Sequence, residues 1–410
     1  MSKNILFWRL QQMQRSGSNI GDRAISNAMF SAISKAVPDA RFFVYTRNPE
    51  FLPSEYNCEG INIFNIKGFI NGIRVLAKAD LVILGGGTII QDKSSKMVII
   101  FNLSFACLAL LFRKKVMCYA IGIGGKSEIS PFGRWLARMV LNRCAMITLR
   151  DTESAKMSEE IGVTRPPTFI TADAAVLHRQ APPEKIDLIL EELGIKPDDR
   201  PLIAISLRRV FHRTGGILPV SVKIKFGLMN NNWEKKIKIF KNKVANICDE
   251  LIERYNAILI FVPMYTGESF FSPRDDIFTQ KVVARMKHKS ATRILKKHYT
   301  PAQIKGLFSM VDLVIGVPLH SVILATTAGT PAISLCYADK NIRYMRMIGM
   351  EDITLDLRKF NNTLEKEKLM NLVDYCLKNK GPLTLKLKKR INLLKQECEK
   401  NASLLLDVLY

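Results

Sequence analysis

Short apolar runs alternate with helical patterns along almost the whole chain, and this alternation constrains the fold more than any other feature. "NILFW", "FFVYT", "DLVILGGG", "KVMCYAIGIGG" and "AMITLR" punctuate the first half, and "PLIAISLRR", "AILIFVP", "DLVIGV" and "PAISLCY" the second. Continuous apolar runs rich in Val and Ile suit strands buried on both faces, and the helical stretches between them are the crossovers that parallel strands require. Around 178–186, "HRQAPPEKI" breaks the rhythm with prolines and polar residues and reads as a linker. We therefore expect an α/β protein of two Rossmann-like, doubly wound domains, 1–180 and 186–362, facing a cleft. A helical tail over 363–410 should pack back on them, because the apolar stripe of "INLLKQECEKNASLLLDVL" needs a partner.

Length and composition agree with this. A chain of 410 residues exceeds one comfortable core, and 48% hydrophobic with 24% charged residues is the balance of a folded protein. The eight cysteines form no CxxC pair, which suits reduced thiols and excludes a zinc ribbon or disulfide framework as the organising device. With no recognisable secretory leader, a cytoplasmic location is expected. The net charge of +24 concentrates in the second half, where "QKVVARMKHKSATRILKKHYTPAQIK" has no acid. It fits a solvated basic face, an anionic substrate or peripheral contact with an anionic membrane. No nucleic-acid partner is expected, since no RNA-binding signature or aromatic interleaving accompanies the basic runs. The apolar stretch 97–112 is too short and too interrupted by Asn102 and Ser104 to span a bilayer. It reads as a buried helix of an α/β domain, with an interfacial membrane helix as the alternative.

In open parallel sheets, ligands sit beyond the carboxyl ends of the strands. Chemistry-bearing residues in those positions are therefore candidates. His320 and Lys340 follow two neighbouring strands, although core packing requires no cation there. Arg150 follows "MITL", and Arg208 in "SLRR" repeats that arrangement. Arginine's planar fork suits phosphate or carboxylate, and a structural partner such as Asp173 would serve Arg150 as well. Gly86 and Gly87 end a strand candidate, where glycine allows either close approach to an anion or a tight turn. In "SNIGDRAI", Asn19 and Asp22 are either helix caps or groups facing an acceptor hydroxyl.

Together these pieces resemble the polysaccharide pyruvyl transferase family. In family order they are "NIGDRAI", "DLVILGGGTIIQD", "GIGG", "TLRDTES", "TADAAVL", "SLR", and "LH" followed by "AGTPAISLCYADK", spanning residues 19 to 340. The resemblance implies a glycosyltransferase-B-like pair of domains, with the acceptor on the N-terminal side and the donor on the C-terminal side. It implies transfer of pyruvate from phosphoenolpyruvate to a sugar as a ketal, with no metal and no cofactor. The acceptor would be a cell-surface polysaccharide or its lipid-linked precursor. Arg150, His320 and Lys340 match positions that handle phosphoenolpyruvate; with Arg208, Gly86 and Gly87 they make up the expected donor site. His320 is the expected general acid, and Asp22, with Asn19, the expected acceptor-side group. The chain departs from the family pattern at Pro318, where Arg is usual, and Arg208 or Arg209 is the candidate replacement. Two alternatives stay open: a nucleotide-sugar glycosyltransferase of the same architecture, and a non-catalytic scaffold for polysaccharide assembly.

Overall fold

The computed structural model describes residues 2–8, 19–46, 52–53, 55–63, 65–93, 95–196, 200–210, 218, 222–223, 226–228, 231–267, 274–357 and 363–410. Among these, the first half carries seven strands: β1 (Asn4–Trp8), β2 (Arg41–Tyr45), β3 (Cys58–Ile61), β4 (Leu81–Ile90), β5 (Val116–Ile123), β6 (Met146–Leu149) and β7 (Thr168–Ile170). They form one parallel sheet in the order β3-β2-β1-β4-β5-β6-β7. Helices α1 (Ile20–Ala36), α2 (Ile66–Lys78), α3 (Lys96–Leu111), α4 (Pro131–Leu141) and α5 (Thr152–Ile161) connect them. The second half begins with α6 (Pro183–Glu192) and holds β8 (Leu202–Ser206), β9 (Ile258–Phe261), β10 (Thr292–Ile294), β11 (Leu313–Gly316), β12 (Ala332–Cys336) and β13 (Thr354–Asp356). Its sheet is also parallel, in the order β10-β9-β8-β11-β12-β13. Its helices are α7 (Asn231–Tyr255), α8 (Asp275–Val283), α9 (Pro301–Ser309), α10 (Leu319–Thr327) and α11 (Asp339–Met347). The tail is α12 (Thr363–Lys378) and α13 (Lys380–Leu409).

Local chemistry accounts for where these elements begin. Asn19, Asn65, Ser95, Ser130 and Asp151 each accept a backbone N–H in the first turn of the helix they precede. Thr300 and Gln303 close a reciprocal capping box on α9, with Pro301 pre-set at its first position. Central strands are buried on both faces; every residue of β5 is buried. The strand candidate "DLVILGGG" extends further than its glycines suggest, since β4 runs on to Ile90. The short edge strands β3, β7, β10 and β13 have no counterpart among the apolar runs of the sequence.

The inner face of the first sheet, under α1, shares one continuous apolar core with the second domain. The outer face, under α2 to α5, has its own. Segment 178–186 is seated rather than free: Ala181 N–H donates to Ala302 O, and Lys305 Nζ donates to His178 O at 2.6 Å. Helix α13 buries the stripe Leu383, Leu387, Ile391, Leu394, Cys398 and Leu405. It ends against the first domain, where Thr148 and Thr171 hydroxyls donate to Asn401 Oδ1 and Lys115 Nζ donates to Val408 O. The Thr148 oxygen also accepts from Ala120 N–H, inside an irregularity of β5 where Ala120 has φ +49°. A left-handed alanine persists only where its surroundings hold it. The tail supplies part of that hold.

His178 sits in this junction with Lys305 and Arg23 facing it. Burial, reinforced by those two positive charges, lowers its pKa from 6.5 to about 4. Between those values the unfolded chain binds the proton that the folded chain refuses, so stability should fall as pH drops from 6.5 towards 4. The separation corresponds to roughly 3 kcal/mol. Urea titrations across this window should show that acid loss in the wild type and a shallower one in His178→Phe. Equal slopes would remove His178 from the acid response.

Candidate active site

The carboxyl ends of both sheets supply the site. Arg150 leaves the end of β6 almost fully buried. Its Nη1 donates to Asp173 Oδ2 at 3.0 Å, its Nη2 donates to Thr88 Oγ1 at 2.6 Å, and its Nε lies 3.6 Å from Asp151 Oδ2. A Cβ on Gly122 would stand 2.7 Å from that guanidinium, so glycine lets the arginine lie flat across β5. Asp173 follows β7 and accepts the Ala175 N–H at 3.1 Å. Burial opposes its ionisation, but His320, Arg150 and the Ala175 N–H outweigh burial and hold the carboxyl well below its usual range.

The second domain completes the cluster. His320 is the second residue of α10, and its Nε2 stands 3.9 Å from Asp173 Oδ2, too long for a hydrogen bond. That nitrogen is buried without a hydrogen-bond partner. The other side of the ring presses on α1: a Cβ at Gly21 would lie 2.1 Å from His320 Nδ1. Lys340, second residue of α11, lies 5.5 Å from the Tyr337 ring centroid. With Arg150, Asp151, Asp173 and Tyr344 it lines a partly open pocket of ≈ 270 Å³. One helical turn on, Arg343 donates to Ile123 O at 2.9 Å and approaches Asp151 Oδ1 at 3.4 Å. This ties α11 to the first domain.

The remaining sequence candidates are placed differently. Asn19 Oδ1 caps α1 through Gly21 N–H, and its Nδ2 donates to Asp22 Oδ2 at 2.9 Å. Both residues are therefore part of the helix start, yet that start is pinned to the second domain by Ile20 N–H donating to Met264 O. Asp22 is thereby one residue from the glycine that touches His320. Arg208 grips both oxygens of buried Asp275 at 2.9–3.3 Å. Burial works against its charge, but the carboxylate prevails and raises its pKa. Its fork is thus occupied, whereas the Nε of Arg209 is buried without a partner. Gly86, at φ +25°, brings the strand against α1, with Ile25 Cγ2 at 2.3 Å from where a Cβ would be; Gly87 has φ +83°. The glycines therefore serve helix packing in this arrangement. Sequence reasoning missed Arg343, Thr88 and Gly21. The i, i+3, i+6 spacing of Lys340, Arg343 and Arg346 was the one signal for the first.

Two parallel-sheet α/β domains with a polar cluster between their carboxyl ends have the glycosyltransferase-B fold. The chain is similar over its full length to HepE of Anabaena solved with UDP and glucose (TM-score 0.61, 12% identity, 100% of this chain and 99% of that one). It is also similar to the UDP-GlcNAc 2-epimerase of Methanocaldococcus jannaschii (TM-score 0.56, 15% identity, 92% and 93%). A third likeness is sucrose-phosphate synthase of Thermosynechococcus elongatus (TM-score 0.60, 9% identity, 99% of both). At these identities the likeness shows the fold alone. The family is shown by sequence: residues 19–339 match the model of polysaccharide pyruvyl transferase, and the chain belongs to that family. It is 24% identical over 293 residues to the amylovoran biosynthesis protein AmsJ of Erwinia amylovora, covering 69% of this chain and 63% of that protein.

The contact between Gly21 and His320 is directly testable. Gly21 has an ordinary helical backbone, so Gly21→Ala should act only through the imidazole, displacing it at a cost of about 1–3 kcal/mol. NMR of the histidine side chains, assigned with His320→Gln, should show the His320 resonance shifted in Gly21→Ala. An unmoved resonance would mean that the two are not in contact in solution.

Proposed function

We propose that the protein transfers pyruvate from phosphoenolpyruvate to a sugar of a polysaccharide or its lipid-linked precursor, closing a cyclic ketal. The observation that carries this reading is that Arg150 and Lys340, from two domains, line one pocket with Asp173, and that His320 Nε2 stands 3.9 Å from that same Asp173.

The chemistry then divides among this chain's residues. Protonation of the phosphoenolpyruvate methylene carbon makes C2 electrophilic; a sugar hydroxyl adds there, the bond from C2 to the phosphate oxygen breaks, and a second hydroxyl closes the ketal as phosphate leaves. His320 Nε2, unpartnered and beside ionised Asp173, is the proton donor. Lys340 meets the donor anion, a charge-assisted contact of roughly 1.5–3 kcal/mol. Arg150 has the donor's negative charge within its field, but its hydrogen bonds fix Asp173 and Thr88, so it acts chiefly by orienting Asp173. Asp22, in the first turn of α1 next to Gly21, is the group we assign to receive an acceptor hydroxyl proton. Gly86, Gly87 and Arg208 would support the donor site through the fold around it, with Asn19 holding Asp22.

A nucleotide-sugar glycosyltransferase is the second reading, favoured by the likeness to HepE with its UDP and glucose. Thermal denaturation separates the two. A saturating ligand at a hundred times its Kd adds about 2.7 kcal/mol, so phosphoenolpyruvate should raise Tm where UDP-glucose does not. The reverse result would overturn our reading in favour of the glycosyltransferase. In kinetics, His320→Ala should lower turnover by about 10²–10⁴-fold with donor affinity little changed, whereas Lys340→Ala should raise the KM for phosphoenolpyruvate. A folded His320→Ala protein with near-normal turnover would exclude the histidine as the acid.

A further inference from the structure

Helices α2, α3 and α4 lie on the outer face of the first sheet, away from the second domain. Each begins where its preceding strand ends, so their first turns share the end of the sheet at which Thr88 and Arg150 gather. These turns present large apolar side chains to solvent: Ile66 (82% exposed), Phe69 (55%) and Ile70 on α2, Ile100 on α3, and Phe132 and Trp135 (58%) on α4. Monomeric proteins scatter such residues singly; a group of them on adjacent elements marks an interaction surface.

Charge says what the surface meets. No residue of α2, α3 or α4 is acidic, while Lys67, Arg74, Lys96 and Arg138 are exposed among them. The acids in the loops leading into α3 and α4, Asp92 and Glu128, are buried. Protruding apolar and Trp side chains on helices whose only charges are Lys and Arg have the composition of interfacial binders, the apolar tips entering the acyl boundary and the cations meeting anionic headgroups. A second copy of the chain fits poorly, since a two-fold contact through this face would set basic residues against basic residues. Among the described residues no helix is long and apolar enough to cross a membrane, so attachment would be peripheral. Helix α3 buries Ile99, Leu103 and Phe105 and presents Ile100 outward.

We propose that the first turns of α2, α3 and α4 form a docking surface for an anionic lipid bilayer, holding the cleft mouth at the membrane. The surface stands apart from the donor; only its purpose, delivery of a lipid-linked sugar to the cleft, rests on the transferase reading. The basic runs of the second half are not needed for it.

Co-sedimentation of the full chain with vesicles tests this. The wild type should bind phosphatidylglycerol-containing vesicles, bind less as salt is added, and ignore pure phosphatidylcholine. The triple variant Ile66→Ser/Phe69→Ser/Trp135→Ser should lose binding by ~10-fold or more, with its circular dichroism unchanged and a cooperative unfolding transition retained, because all three side chains are more than half exposed. Wild type that fails to bind would overturn the proposal. So would a variant that binds as well as wild type, which would assign the membrane to the basic runs. A dimer in sedimentation velocity that the triple substitution dissolves would assign the face to a second copy instead. None of these readouts uses phosphoenolpyruvate, so a failed donor reading leaves the result intact.

Discussion

The buried carboxylate of Asp173 is the point on which the two domains and the tail all bear. It pairs with Arg150, accepts the Ala175 N–H and faces His320 across the domain boundary, while its own carbonyl accepts from Cys398 Sγ of α13. A buried ion pair of this kind contributes little net stability, because desolvation offsets most of its Coulombic gain. Its value is geometric: removing either partner leaves a stranded charge, so the arrangement tolerates few alternatives. The imidazole of a second domain is thereby presented to a fixed anion of the first.

That arrangement is possible because every paired strand in both sheets is parallel. A parallel sheet delivers all its strand-to-helix turns to one end, so side chains far apart in sequence emerge side by side. Thr88 near the end of β4 and Arg150 and Asp173 just after β6 and β7 meet there in the first domain, and Arg208 just after β8 with His320 and Lys340 at the starts of α10 and α11 in the second. The same rule places the first turns of α2, α3 and α4 at that end. The pocket lined by Arg150 and Lys340 and the basic, apolar helix starts then lie at one end of the sheet through topology alone.

Helix α13 turns two domains into one frame. Its inner stripe completes the core, and Asn401 accepts from two threonines that belong to β6 and the segment after β7. Through Thr148 this contact reaches the left-handed Ala120 of β5, the strand whose Gly122 admits Arg150. Backbone strain beside the site is therefore balanced by the last helix of the chain, some hundreds of residues away in sequence.

The sequence by itself determined the class of fold and the strands at the heart of each sheet. All nine apolar runs read from it became strands, because central parallel strands are buried on both faces and must be continuously apolar. The four strands without such a run, β3, β7, β10 and β13, are the edges of the two sheets. Edge strands are short and lack two-sided burial; all of β7 is exposed, so no hydrophobic run marks them. His320, Lys340 and Arg150 were legible as cations at strand ends, and Asp173 as a partner for Arg150. Only tertiary structure decided that Arg208 closes on Asp275, that Gly86 yields to Ile25, and that Gly21 and Arg343 reach across the domains. Those are contacts between residues tens to hundreds of positions apart, set by packing and not by local pattern, and no periodicity or motif in the chain encodes them.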